Sequence, residues 1–136
     1  KFLMTYGDGL ANINVNKLIN YHIKKKKIAT VTAVNPIPRF GSLKINNGMV
    51  SEFNEKKITE TNNLINGGYF ILNKSIFNFE DLSKNVMWEQ DPMINLTKRK
   101  QLSAYYHKGF WHCMDTERDY KYLNELYKKG APWKIW

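Results

Sequence analysis

Phe2-Leu3-Met4-Thr5-Tyr6-Gly7-Asp8-Gly9 is the stretch whose reading decides the fold. It is an apolar run with aromatic and β-branched members that stops at a carboxylate held between two glycines. Such a run predicts a buried strand, and Gly-Asp-Gly predicts the tight turn at its carboxyl end. In open α/β sheets ligands bind in the crevice beyond such strand ends, and glycine lets a phosphate or sugar approach the backbone closely. Asp8 is therefore a candidate metal or ligand carboxylate. The plainer reading, an acid that merely sits in a turn, fits the spacing equally well.

A second signal of the same kind lies at Phe110-Trp111-His112-Cys113-Met114-Asp115-Thr116. Another aromatic-rich segment ends in an acid there, and Thr116 with Asp119 three residues later has the form of a capping box opening a helix. Two acids on separate strand ends could grip one divalent cation. Magnesium suits this arrangement, because it is held by one or two carboxylates together with substrate phosphates and waters. Alternatively, Asp115 only favours the positive end of the helix that follows, an effect of roughly a few tenths of a kcal/mol.

Between these ends the chain alternates strand and helix patterns. Asn14 predicts an N-cap for a helix whose inner face is Val15, Leu18, Ile19, His22 and Ile23, with His22 read as a core histidine and not a ligand. Ile28 to Val34 is apolar or Thr without alternation, which predicts a central strand covered on both faces and a parallel crossover from the first strand. Asn35-Pro36-Ile37-Pro38 then carries the chain over the strand ends, followed by Arg39-Phe40-Gly41. Leu43 to Ile45, Asn46-Asn47-Gly48 and Met49 to Phe53 read as a β-hairpin. Ile58 to Leu64 reads as a surface loop.

Ile65-Asn66-Gly67-Gly68-Tyr69-Phe70-Ile71-Leu72 resumes as a strand with paired glycines at its entry. Asn66 offers a donor and an acceptor to a sugar hydroxyl, and the glycines leave room for a ring. Ser75 to Phe79 predicts a helical turn. Asp91-Pro92 predicts an N-cap and first helical position for Met93 to Lys98. Glu89, just before it, is read as a charge at the helix start in preference to a buried orienting acid. Leu102 to His107 returns as a strand, and a last helix runs from Thr116 to Lys129 and stops at Gly130. His107 and His112 lack the acid or cysteine spacing of a triad and read as structural. The tail Trp133 to Trp136 either packs on the body or contacts another subunit.

The 136 residues, 43% hydrophobic and 14% aromatic, are enough for one packed core and too few for two ordinary domains. The formal charge of +9 raises nucleic-acid binding. Much of that excess, however, is Lys24-Lys25-Lys26-Lys27 at a helix end, where cations favour the dipole, and no nucleic-acid recognition motif is present. A solvated basic face and no nucleic-acid partner are expected. The one cysteine, Cys113, has no intramolecular partner and no metal-ligand spacing, which fits a reducing, cytoplasmic compartment. No apolar run approaches the ~18 residues of a membrane span and no signal-peptide pattern is present, so no membrane association is expected.

Taken together, Thr5-Tyr6-Gly7-Asp8-Gly9, Arg39-Phe40-Gly41, Phe53-Asn54-Glu55-Lys56, Ile65 to Phe70, Trp88-Glu89-Gln90, Gly109-Phe110-Trp111, Met114-Asp115-Thr116 and Ala131-Pro132-Trp133-Lys134 carry a resemblance. In order and spacing they resemble the carboxyl-terminal half of the glucose-1-phosphate cytidylyltransferases, within the sugar nucleotidyltransferase family. The family's glycine-rich loop, with Gly-Thr-Arg and a following lysine, is not among these residues, and Lys57 stands where the family often has Pro. Residues 1–136 are accordingly expected to be the carboxyl-terminal part of a single nucleotidyltransferase domain.

The resemblance implies an α/β fold with a mixed, mainly parallel sheet flanked by helices, Rossmann-like and incomplete at the amino terminus. It implies magnesium-dependent transfer of a cytidylyl group from CTP to glucose 1-phosphate, giving CDP-glucose and pyrophosphate, in a homo-oligomer that serves nucleotide-sugar and O-antigen biosynthesis. Asp8 and Asp115 are then the catalytic and metal-binding acids. Gly7, Gly41, Glu55, Lys56, Asn66 and Gly67 are the residues expected at the sugar nucleotide. A carboxylate can accept hydrogen bonds from vicinal hydroxyls while a neighbouring ammonium pairs a phosphate, which is the chemistry Glu55-Lys56 would supply. The rival readings are a sugar-nucleotide-binding or oligomerisation module without turnover, and a transferase for another nucleotide or hexose.

Overall fold

The computed structural model describes residues 1–36, 41–54, 64–79 and 86–135. In chain order the elements are β1 (Phe2–Thr5), β2 (Gly9–Ala11), α1 (Val15–Lys25), β3 (Ala29–Val34), β4 (Ser42–Asn46), β5 (Met49–Asn54), β6 (Ile65–Leu72), α2 (Ile76–Phe79), α3 (Asp91–Lys98), β7 (Leu102–His107), β8 (Trp111–Cys113) and α4 (Glu117–Lys128).

Four strands form the main sheet in the order β1-β6-β3-β7. β6 is antiparallel to both β1 and β3, while β7 is parallel to β3. Hence β1, β3 and β7 point the same way and β6 alone is reversed, which is the expected mixed, mainly parallel sheet with flanking helices. The crossover from β1 through α1 to β3 is parallel as anticipated, but β6 has inserted between its two strands. Pairing of β6 with β3 is a long-range event that no local pattern announces.

The sheet is covered on both faces because successive side chains of a strand point to opposite sides. On one face Ala29, Val31, Phe70 and Leu72 pack with Ile76 of α2 and Leu96 of α3. On the other, Ile71 packs with Ile13 and Leu18 under α1. Every residue of β3 is buried, as its unbroken apolar pattern implied. β1 departs from expectation: it alternates half-buried and exposed residues, with Leu3 54% exposed. As the edge strand of the described sheet it has one neighbour, and its outward face meets solvent.

The helix ends follow from local chemistry. Asn14 Oδ1 accepts the Lys17 N–H at 2.9 Å, opening α1. Lys26 closes that helix in the left-handed region, its N–H returning to the His22 and Ile23 carbonyls. His22 is buried, with Nδ1 at 2.8 Å from Thr30 Oγ1, which in turn meets Ser103 Oγ at 2.7 Å. Burial holds this imidazole below its ordinary pKa, and its place is structural. α3 begins at Asp91, with Gln90 at the cap and no side-chain cap bond, one residue earlier than the sequence predicts. Pro92 still falls in the first turn, where its missing N–H sacrifices no helical hydrogen bond.

The β4–β5 hairpin turns through Asn47 and Gly48, at φ of 49° and 77°, the left-handed pair that a two-residue hairpin loop demands. Gly41 immediately precedes this hairpin. Glu55 and Lys56, which follow it, lie outside the described residues, as do Arg39-Phe40 and most of the segment read as a surface loop. In the tail, Trp133 packs on Phe110 with ring centres 5.7 Å apart. Among the described residues no helix is long and apolar enough to cross a membrane.

Candidate functional site

Beyond Thr5 the backbone stays in the sheet for one more rung, the Tyr6 N–H donating to the Gly68 carbonyl at 2.9 Å. Gly7-Asp8 then turns the chain into β2, a three-residue strand too short to announce itself in the sequence. It pairs antiparallel with β8 through Gly9 with Cys113, Leu10 with His112 and Ala11 with Trp111. The Met114 N–H donates to the Asp8 carbonyl at 2.9 Å and lengthens this ribbon at the end that carries both acids.

Two side-chain bonds fasten the ribbon to β6. Trp111 Nε1–H donates to the Gly67 carbonyl at 2.8 Å, and the Tyr69 hydroxyl donates to the Gly9 carbonyl at 2.7 Å. Between ribbon and sheet an open pocket of about 230 Å³ remains, lined among others by Tyr6, Asp8, Asn66, Gly67, Cys113 and Asp115. It lies at the carboxyl end of β1 and the amino end of the reversed β6. That is the sheet edge at which α/β folds bind ligands.

Asp8, Asn66, Gly67 and Asp115 are thus brought together, although 107 positions separate the two acids (115 − 8). Gly7 and Gly41 are not among the pocket's lining residues. Gly7 forms the turn next to it, and a side chain there would meet nothing within 4 Å. Glu55 and Lys56 cannot be placed, being outside the described residues.

The paired glycines of β6 have a reason beyond the one expected. Both line the pocket, and each also lies against the protein beside it. A Cβ on Gly67 would come within 2.8 Å of Val34 Cγ1 and 3.1 Å of the Thr32 carbonyl oxygen, and one on Gly68 within 2.9 Å of the Tyr6 ring. Gly68 also has φ of 76°. The register runs from Val31 with Phe70 to Ala33 with Asn66, so a longer stretch of β6 faces a shorter one of β3. The glycines build this bulge, and bulges re-aim neighbouring side chains. Here the neighbour is Asn66.

Asn66 is held from two sides. Its Oδ1 accepts the Gly68 N–H at 2.9 Å and its Nδ2–H donates to the Tyr6 hydroxyl at 2.9 Å. Tyr6 is pushed up to about 12, chiefly by burial and then by its hydrogen bond to the Glu89 carboxylate. The Glu89 carboxylate is thus felt at Tyr6, while its side chain is exposed just before the start of α3. Tyr6 itself carried no signal as a single residue, because its partner Asn66 is 60 positions away (66 − 6).

Cys113 Sγ–H donates to Asp115 Oδ2 at 3.1 Å. Both acids are exposed on the pocket wall. Their hard oxygen donors match a cation such as magnesium, which completes its shell with water and substrate oxygens. Among the described residues no group of three or more His, Cys, Asp and Glu side chains could hold a metal by itself, so any cation here would have to share its shell with a ligand. The two histidines of this region are occupied elsewhere. His107 Nε2 meets the Phe110 carbonyl at 3.1 Å, and His112 Nε2 meets Asp119 Oδ1 at 3.1 Å behind the capping box of α4.

Comparison with known proteins agrees with this architecture. Glucose-1-phosphate cytidylyltransferases of Salmonella typhimurium and Salmonella typhi are each 45% identical over 136 residues, covering 99% of this chain and 52% of their own length. The chain thus spans about half the length of the curated relatives it matches. HddC from Yersinia pseudotuberculosis, solved in complex with GMP-PN, shares the fold at a TM-score of 0.61 and 23% identity, covering 93% of this chain and 55% of its own. The nucleotidyl transferase family model matches residues 1–129, and the chain belongs to that family.

Proposed function

We propose that the full-length protein to which this chain contributes its carboxyl-terminal part transfers a cytidylyl group from CTP to glucose 1-phosphate, releasing pyrophosphate and forming CDP-glucose. The observation that carries this reading is the meeting of Asp8, Asp115 and Asn66 in one pocket, in a chain whose relatives include cytidylyltransferases.

The reaction is an in-line attack by the sugar phosphate oxygen on the α-phosphorus, and it asks mainly for positioning and charge neutralisation. Asp8 and Asp115 would hold magnesium, which when bound neutralises phosphate oxygens and draws the two substrates together. Asn66 presents a donor and an acceptor to the hexose hydroxyls from a strand and not a loop, so its aim is fixed before the substrate arrives. The ribbon walls the pocket with Trp111, which limits where a sugar can lie. By resemblance, Gly7 and Gly41 allow close approach of the sugar nucleotide, Gly67 lies against it, and Glu55-Lys56 bind the sugar and its phosphate. The cytoplasm, with its nucleotide pools, is the setting this chemistry requires.

A pyrophosphate-release assay of the full-length protein with CTP and glucose 1-phosphate tests this. Magnesium-dependent release with CTP, faster than with GTP, UTP, dTTP or ATP, is the expected result. Release that is faster with another nucleotide or another hexose 1-phosphate would replace the substrate assignment, and none with any pair would remove the enzyme reading. The 136 residues alone, which lack the glycine-rich triphosphate loop, are expected to show no turnover.

A further inference from the structure

The polarity of the hydrogen bonds around Asn66 can be worked out without ambiguity. The Gly68 N–H can only donate, so the amide oxygen of Asn66 must face it and Nδ2 must face Tyr6. The Tyr6 oxygen therefore accepts from Asn66, and its own proton must go elsewhere. The direction is fixed: Gly68 N–H to Asn66 Oδ1, and Asn66 Nδ2–H to Tyr6. One amide proton and one oxygen lone pair of Asn66 are left over for the pocket.

We propose that Tyr6 is the positioning residue whose hydroxyl locks the Asn66 carboxamide in the orientation that recognises adjacent hydroxyls of the hexose. This rests on the functional reading above. The tyrosine ring is clamped against Phe70, with ring centres 5.5 Å apart, and Phe70 is itself met edge-on by Trp88 at 5.7 Å. The hydroxyl is thus carried on a rigid plate. Without it, Asn66 Nδ2 loses its partner while Oδ1 keeps only the Gly68 contact, and the amide can swing about its terminal torsion. That torsion is broad in asparagine, so a lost partner is felt as disorder and not as a new fixed pose.

The test is made on the full-length protein with Tyr6→Phe, which keeps the ring packing and removes only the hydroxyl. The KM for the sugar 1-phosphate should rise about tenfold, the scale of one lost hydrogen bond in a desolvated site, while the KM for the nucleotide stays within about twofold. In the absence of substrate, the Asn66 side-chain amide protons should exchange with solvent faster in Tyr6→Phe than in the wild type. An unchanged sugar KM in Tyr6→Phe, with an active wild type, overturns the positioning role and leaves the functional reading intact. A wild type that turns over no sugar 1-phosphate overturns both.

Discussion

The backbone N–H of Met114 bonds to the carbonyl of Asp8 at 2.9 Å, and this rung carries the segment bearing Asp115 to the pocket that Asp8 lines. It extends the three-residue pairing of β2 with β8 past its last formal partners, Gly9 and Cys113. Asp115 follows Met114 directly, so the register of a very short ribbon decides whether the carboxylates share a pocket. If both serve one cation, they act as a unit. Asp8→Asn and Asp115→Asn should then each lower kcat at least about a hundredfold, and the double variant should be little worse, because groups acting together are strongly non-additive. Steady-state kinetics of the three variants, with circular dichroism to confirm folding, check this.

The bulge in β6 makes a stability prediction. Gly67→Ala drives a methyl against Val34 and the Thr32 backbone, and neither can retreat within a fully buried strand. Overpacking of this kind costs about 1–3 kcal/mol. Gly68→Ala adds the cost of an ordinary residue at φ of 76°, about 1–2 kcal/mol, to crowding of the Tyr6 ring. Gly7→Ala, which meets nothing, should leave the melting temperature nearly unchanged. Thermal unfolding of the three variants separates the two glycines that shape the strand from the one that forms the turn.

The start of α4 predicts an acid-side dependence. Asp119 Oδ2 accepts from the Thr116 N–H at 3.0 Å and from its hydroxyl at 2.8 Å, and Oδ1 meets His112. Thr116 first, and then His112, hold this carboxyl below its usual value of 3.8. A depressed folded pKa means the contribution to stability is present above the unfolded value and is lost as the pH falls through the folded one. Stability in denaturant titrations should therefore drop below about pH 4, and Asp119→Asn should flatten that drop. Thr116→Ala removes the capping hydroxyl and should cost about 1 kcal/mol at neutral pH.

Tyr6 predicts the alkaline counterpart. Its folded pKa is raised from 10.0 to about 12, so its contribution is complete below the unfolded value and disappears as the pH rises towards 12. Of the eight tyrosines, Tyr6 should be among the last to ionise in a phenolate absorbance titration. Glu89→Gln should bring it down, since a neutral amide no longer opposes the phenolate. Ionisation of Tyr6 together with the exposed tyrosines would contradict the network drawn around Asn66.

Much of the fold was legible because its signals are local. Asn14, the Asn47-Gly48 turn, the unbroken run to Val34 and the Thr116/Asp119 pair all act within a few residues of themselves, and each element stands where its pattern placed it. What was illegible depends on partners far along the chain. The edge position of β1, the insertion of β6 between β1 and β3, and the small β2–β8 ribbon each arise from pairing across dozens of residues. The same holds within the site. Asp8, Asp115 and Asn66 stood out because each ends or enters an apolar run. Tyr6 did not, because its meaning comes from its bond to Asn66, which no spacing predicts. The glycines of β6 also answer to the three-dimensional register, which alone reveals that Val34 and Tyr6 fill the space beside them.

Manganese, a paramagnetic stand-in for magnesium, tests the account most directly. Titration of the full-length protein with Mn²⁺, followed by the loss of the free-ion electron paramagnetic resonance signal in the presence of glucose 1-phosphate, should reveal a single site. Asp8→Asn and Asp115→Asn should each weaken that site roughly tenfold or more. Retention of wild-type Mn²⁺ affinity by either variant would contradict a cation shared between the two acids.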